Sequence, residues 1–244
     1  MRTLLDERFA PITSSIGFLE VPLDEASEGL AGWRRSLYAA VRVRTPEDSF
    51  PEVLRVLEPL VGGGGHQREL LVAAGKWTAY FSNALRGTDA VSAIGFLSES
   101  LRCRGLAIDV TPHTVGLRGV RHGRMGAVQF QLFGPHRTHF LNYVRGVSVA
   151  FDGDRWVFDA TGEPQPFEEM AAYRARRARD RFTSEMLERY CQALGVDVFN
   201  AASYGPAVFV ESAAPIAPQA LVMTLAEVQA WLEITPGMAL VLPG

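Results

Sequence analysis

Residues 126–160 constrain the fold most, because apolar and polar side chains alternate there with a period of two, the signature of strands with one face on a core and one in water. Val128, Phe130 and Leu132 alternate with Gln129 and Gln131. A second run, residues 141–151, ends at Asp152-Gly153, and Arg155-Trp156-Val157-Phe158 returns. Asp-Gly between two such runs signals a hairpin, since a type I′ turn needs positive φ at both central residues. With those two residues as the loop, Val149 faces Trp156 and Val147 faces Phe158, while Gly146 faces Asp159 and Ser148 faces Val157 on the other side. The stretch predicts a β-meander.

Around it, strands and helices mix. Residues 16–21 read as a strand that Pro22 stops, opening a helix with Asp24 and Glu25 in its first turn and Arg34 and Arg35 near its last, an order that suits the helix dipole. Leu23, Ala26, Leu30, Trp33 and Leu37 make its core stripe. Residues 40–44 read as a strand, and Ser49 with Glu52 as a capping box for a second helix that runs to the four glycines at 62–65. Those glycines follow a helix and lead into a strand, so they read as a helix stop and link, not a phosphate loop. They also mark a possible subdomain boundary at 62–66, between a βαβα segment (1–61) and the rest (67–244). Residues 69–73 and 77–81 form a hairpin through Gly75-Lys76, residues 90–101 a helix, and residues 106–111 a strand. Residues 167–181 read as a helix with acids early and arginines late. The next is capped by Thr183, stapled by Phe182 and Leu187, and closed by Gly195. Residues 207–210 are a strand, and Thr224 with Glu227 caps a last helix through Trp231. The expected fold is α+β in a single domain: a mixed, partly antiparallel sheet with a central meander and helices on one face.

Length and charge exclude some functions. A chain of 244 residues, 48% hydrophobic and 21% charged, can bury a sizeable core. No apolar run reaches the roughly 20 residues of a bilayer-spanning helix, and acids occupy the N-terminal stretch where a signal peptide is apolar, so a cytoplasmic location without membrane association is expected. A net charge of −3 argues against a general nucleic-acid binder. Lys76 is the single lysine, and the spread of arginines along the chain fits a GC-rich coding bias. Cys103 and Cys191 form no metal or redox spacing and read as packed thiols.

Catalytic motifs are missing: there is no Walker loop, His-Glu-x-x-His, Gly-x-Ser-x-Gly or dinucleotide fingerprint. Four scattered signals remain. In the loop after His113, glycines interleave with Arg118, Arg121, His122 and Arg124, either an anion grip whose guanidinium forks bind oxygen pairs or a solvated hairpin. Arg145 falls on the apolar face of the meander, where a bulge at Gly146 must turn it out or an acid such as Asp109, Asp159 or Glu99 must pair with it. Arg174, Arg177 and Arg181 share a stripe of the expected 167–181 helix and could dock on an acidic partner. His136 and His139 could reach one metal ion, but in an extended segment they point to opposite faces, so no metal or other cofactor is expected.

Trp77-Thr-Ala-Tyr-Phe-Ser-Asn and the segment 173–194, with Arg-Phe-Thr-Ser-Glu-Met-Leu-Glu-Arg-Tyr, resemble uncharacterised bacterial proteins of GC-rich genomes. That resemblance implies no activity. At the level of fold class and composition the chain is similar to immunity proteins of bacterial toxin systems, which implies a protein partner. The leading expectation is therefore a non-catalytic, immunity-like binding protein. The alternative is an enzyme or small-ligand binder for an anionic substrate, gripped by Arg118, Arg121 and Arg124, with Asp109, His122 or Asp159 as the acid–base group. The apolar residues 238–242 offer a homodimer surface under either reading.

Overall fold

The computed structural model describes residues 1–62, 67–117, 120–121, 123–213 and 218–237. The elements run β1 (Ser15–Leu19), α1 (Leu23–Leu37), β2 (Val41–Arg44), β3 (Leu60–Gly62), β4 (Gln67–Ala74), β5 (Trp77–Ser82), α2 (Ala90–Ser100) and β6 (Gly105–Thr111). They continue with β7 (Ala127–Phe133), β8 (Tyr143–Phe151), β9 (Trp156–Gly162), α3 (Ser184–Ala193), β10 (Ala207–Ser212), β11 (Leu221–Met223) and α4 (Leu225–Trp231). The α+β class is the one expected. Nine strands make one sheet in the order β2-β10-β4-β5-β1-β6-β7-β8-β9, every pairing antiparallel, and β11 pairs with β3 separately. β1, from the segment 1–61, lies between β5 and β6 of the segment 67–244.

The meander β7-β8-β9 forms one end of this sheet. Its faces are those expected, but the β8–β9 register is displaced by two residues: Phe151 pairs with Trp156, Val149 with Phe158, and Ser148 with Asp159. The reason is local. The Asp152 Oδ1 atom accepts from the backbone N–H of Asp154 and of Arg155, which widens the loop to residues 152–155. A displacement of two keeps every side chain on its face.

Helices cover both faces of the sheet and not one face as expected, because strand residues of both parities are apolar and each face carries a core. On one, Phe18, Leu70, Phe81, Ile108, Phe130 and Val147 pack against α3, α4 and the 3₁₀ turn Glu52–Leu57. On the other, Leu19, Leu71, Ala107, Phe133 and Val210 pack against α1 and α2. Each fully buried Leu or Phe contributes about 1.5–3 kcal/mol of transfer free energy. Helix α2 approaches closely because β1 and β6 present glycine beneath it: a Cβ on Gly17 would stand 2.4 Å from Ile94 Cγ1, and one on Gly105 would stand 2.6 Å from Ile94 Cγ2.

Two expected helices do not form as read. Residues 167–181 contain only 3₁₀ turns at Ala172–Arg174 and Ala178–Asp180, with Ala175 and Arg177 extended between them. Tertiary contacts override local propensity here, since Glu168 turns inward to Arg145 and Arg181 Nε donates to the Ala175 carbonyl. The Ser49–Glu52 capping box is also absent: Glu52 instead takes hydrogen bonds from Arg8 and Arg55. By contrast, the Thr183 cap and the Thr224–Glu227 box form as expected, because both are closed by residues three apart.

A candidate ligand cavity between the helices and the sheet

Three buried arginines organise the polar interior, and each holds a glutamate with two hydrogen bonds. Arg145 meets Glu168 at 2.8 and 2.6 Å, Arg124 meets Glu7 at 2.7 and 3.0 Å, and Arg34 meets Glu69 at 2.7 and 2.6 Å. Such bidentate forks are what make a buried guanidinium tolerable.

The Arg145 pair is a joint. Glu168, and not Asp109, Asp159 or Glu99, is its acid. Arg145 also donates to the carbonyls of Thr161 and Gly162. Tyr173 donates to Glu168 and lies 3.0 Å from the Tyr190 hydroxyl, tying the end of the meander to α3. Burial, with hydrogen bonds to Tyr190 and Glu168, pushes the Tyr173 phenol far above its ordinary range.

Arg124 is likewise turned inward. Its fork grips Glu7, the last of three consecutive residues (Leu5, Asp6, Glu7) with positive φ, a strained turn held by its surroundings. Arg124 is therefore not available as part of an anion grip. Arg118 and His122 lie outside the described residues. Arg121 is exposed, and its backbone N–H donates to Glu233 at 2.9 Å. The structure thus leaves Arg121 without Arg124 beside it in solvent.

Asp109 is half-buried on β6 and accepts from the Thr111 hydroxyl. Burial pushes its pKa up to about 7 against that hydrogen bond and the charge of Arg124. Between the unfolded value and about 7 the folded protein keeps a proton that the unfolded chain has released, so stability falls as pH rises through that window. Asp109→Asn removes the charged form: urea unfolding near pH 5 and near pH 8 should show a flatter pH dependence than wild type, with the variant's relative gain at the higher pH. An unchanged slope would mean that another group controls it.

The remaining candidates stand apart. Asp159 is exposed on β9 opposite Ser148, and His136 and His139 are exposed in the β7–β8 loop. Among the described residues no three His, Cys, Asp or Glu side chains converge in a group that could hold a metal ion. Arg174 and Arg177 are exposed and Arg181 half-buried, without the shared helical stripe, because the helix is broken. The apolar residues 238–242 also lie outside the described residues.

The Arg34 pair differs from the other two in lining a cavity of about 810 Å³. The cavity opens where the C-terminal end of α1 and the N-terminal end of α2 leave β4 and β5 uncovered, and β3, β11 and α4 close its far side. Its floor is Glu69 on β4 and Tyr80 on β5, both almost fully buried. The Tyr80 hydroxyl donates to Glu69 Oε1 at 2.7 Å, the atom that also receives Arg34 Nη2. Burial, then the Glu69 charge, holds the Tyr80 phenol well above its ordinary pKa, so it keeps its proton. Burial alone would lower the Arg34 pKa; hydrogen bonds and charge from Glu69 more than offset it. The Arg34 guanidinium also lies 3.9 Å from the centroid of the Trp33 ring, which stacks on Phe96.

At the mouth, Arg86 lies 5.6 Å from the Trp231 ring centroid, and Asp89 accepts from Ser92 at the start of α2. Among the described lining residues two arginines, Arg34 and Arg86, balance two carboxylates, Glu69 and Asp89. Sequence reasoning placed Arg34 near the last turn of α1 as a complement to the helix dipole. The signal it passed over was Glu69, an acid on the same side of its strand as Leu71.

No protein-family model matches the chain, and neither a curated protein nor a solved structure does. Among the described residues no helix is long and apolar enough to cross a membrane.

Proposed function

We propose that this is a non-catalytic cytoplasmic binding protein, and that the cavity over Arg34, Glu69 and Tyr80 is its recognition site for a small uncharged ligand. One observation carries the reading: the ionic groups of the floor are closed on one another. Both Glu69 oxygens accept from Arg34 or Tyr80, and Tyr80 holds its proton, so no floor group is poised as a base or nucleophile. An anionic ligand would have to displace Glu69 from Arg34.

A thermal-shift series tests this, because a ligand that binds only the native state raises its melting temperature. Neutral metabolites should shift wild type, and the shift should vanish in Trp231→Ala, which opens the mouth without touching the floor. A ligand whose shift survives in Trp231→Ala and in Ser92→Trp would place recognition elsewhere.

A second reading, the immunity-like protein partner, is favoured by a separate patch. Phe140 is 70% and Leu141 58% exposed in the β7–β8 loop, with Phe140 stacked on Tyr143. Exposed adjacent apolar residues of this size mark interaction surfaces. Under this reading Phe140→Asp with Leu141→Asp abolishes association with a defined partner and leaves cavity binding intact.

A further inference from the structure

Strand β2 forms one edge of the nine-stranded sheet, and its outer side has no partner strand among the described residues. Its register with β10 fixes which groups face out. The Ala213 N–H donates to the Ala40 carbonyl, so residues 40, 42 and 44 turn their main-chain groups to β10, and the N–H and C=O of Val41 and Val43 point away from the sheet. Side chains sort by face as well. Val41 and Val43 lie on the face that α1 covers; Val43 is 43% exposed, and Leu37 at the end of α1 is 56% exposed. Arg42 and Arg44 lie on the opposite face, both exposed. Neither makes an ion pair among the described residues. Arg44 stands 4.6 Å from the Phe209 ring centroid, and Glu211, cross-strand from Arg42, lies 3.3 Å from Arg68. The other edge of the sheet differs: Phe158 of β9 meets the rings and guanidinium of Tyr173 and Arg181, so the segment 172–181 flanks it.

We propose, independently of both readings above, that β2 is a docking edge for an extended, antiparallel segment of a protein partner in which acidic and apolar residues alternate. An open edge pairs through its main chain, and the side chains choose which strand it takes. Here two unlike faces make the choice. Cross-strand residues share a face, so an added strand sets alternate side chains against Arg42 and Arg44 and the rest against Val41 and Val43. Acids opposite the arginines form opposite-charge pairs, whereas lysines or arginines there meet like charge. The same rule disfavours a second copy. A two-fold axis normal to the sheet keeps the faces, so antiparallel self-pairing brings the arginines opposite one another. Charge thus guards this edge against its own kind and leaves it open to a strand of the opposite sign. Glu47 and Asp48 follow β2 in the chain, which confines the partner's acids to the positions opposite Arg42 and Arg44.

Fluorescence anisotropy on the full chain tests this with short labelled peptides. One alternates valine and glutamate, a second alternates valine and lysine, and two more carry the first sequence N-methylated at its valines or at its glutamates. With glutamates over the arginines, the valine N–H groups are the ones that face β2. The Val-Glu peptide should bind, and the Val-Lys peptide and the valine-methylated peptide should each bind weaker by about tenfold or more, while methylation at the glutamates leaves binding in place. Arg42→Glu with Arg44→Glu, both at exposed positions, should reverse the preference to the Val-Lys peptide. Val43→Pro removes an outward N–H where an edge strand tolerates proline, and should weaken the Val-Glu peptide with little change in melting temperature. Equal binding of the valine-methylated peptide would reduce the edge to a charged surface and overturn the inference. So would equal binding of the Val-Glu and Val-Lys peptides, or no binding of either. A wild-type dimer that Val43→Pro dissociates would also overturn it, since the occupant would then be a second copy.

Discussion

Glu168→Ala should lower the melting temperature by roughly 10 °C, because removing one partner of a buried pair costs about 3–5 kcal/mol and a chain of this size loses about 2–4 °C per kcal/mol. Arg145 is 3% exposed and would be left with a full charge and only the carbonyls of Thr161 and Gly162 for company. Tyr173 would lose its acceptor as well, and with it part of the tie to α3. The matched double variant Arg145→Met with Glu168→Leu should recover much of the loss, since an apolar pair in the same space carries no stranded charge. A single variant that unfolds within a degree or two of wild type would show that water reaches Arg145 and that the joint is not buried in solution.

Glu69→Gln should do something different: it should make the cavity an anion site. The wild-type guanidinium of Arg34 is neutralised by two hydrogen bonds to Glu69, and the balance of charges around the cavity gives sulfate or phosphate no net attraction. With glutamine in place of the acid, Arg34 keeps an amide oxygen to bond but loses its counter-charge at a position where it is only 6% exposed. The variant should be less stable by about 3 kcal/mol in anion-free buffer, and millimolar sulfate or phosphate should restore part of that, while wild type does not respond beyond a matched chloride control. A wild type that already gains from sulfate as much as the variant does would return the protein to the anionic-ligand reading. Indifference of both would mean that Arg34 finds another acid when Glu69 is gone. The Arg145 and Arg34 variants probe the same physics, yet only the second opens on a cavity, so only the second should change binding.

Much of the architecture was legible because the interactions that specify it are short in sequence. The β4–β5 hairpin turns on Gly75-Lys76, the Thr183 and Thr224 caps reach three residues ahead, and the alternation in β7 and β8 assigns each side chain its face. Even the two-residue displacement at β8–β9 left the faces correct, because the strand period is two. The failed helix at 167–181 shows the limit. Its pattern of acids and arginines suits a helix dipole, but Glu168 gains more from a buried guanidinium 23 residues away than from the first turn of a helix.

The candidate site was not legible for the same reason. Arg34 and Glu69 are 35 residues apart, and Arg124 and Glu7 are 117 apart. The sequence offers 24 basic and 27 acidic residues, so composition cannot say which of them will meet. By itself the sequence determined the nine strands of the large sheet, the caps of α3 and α4 and which apolar side chains face inward, but not β3 and β11, since these features follow from periodicity, caps and turn chemistry within a few residues. Only the tertiary structure decided which buried arginine found which glutamate, and that one of the three pairs would line an open cavity. That choice depends on strand order: β4 and β5 lie beneath α1, so Glu69 and Tyr80 sit where Arg34 descends, and a buried charge takes the partner that the topology brings within reach.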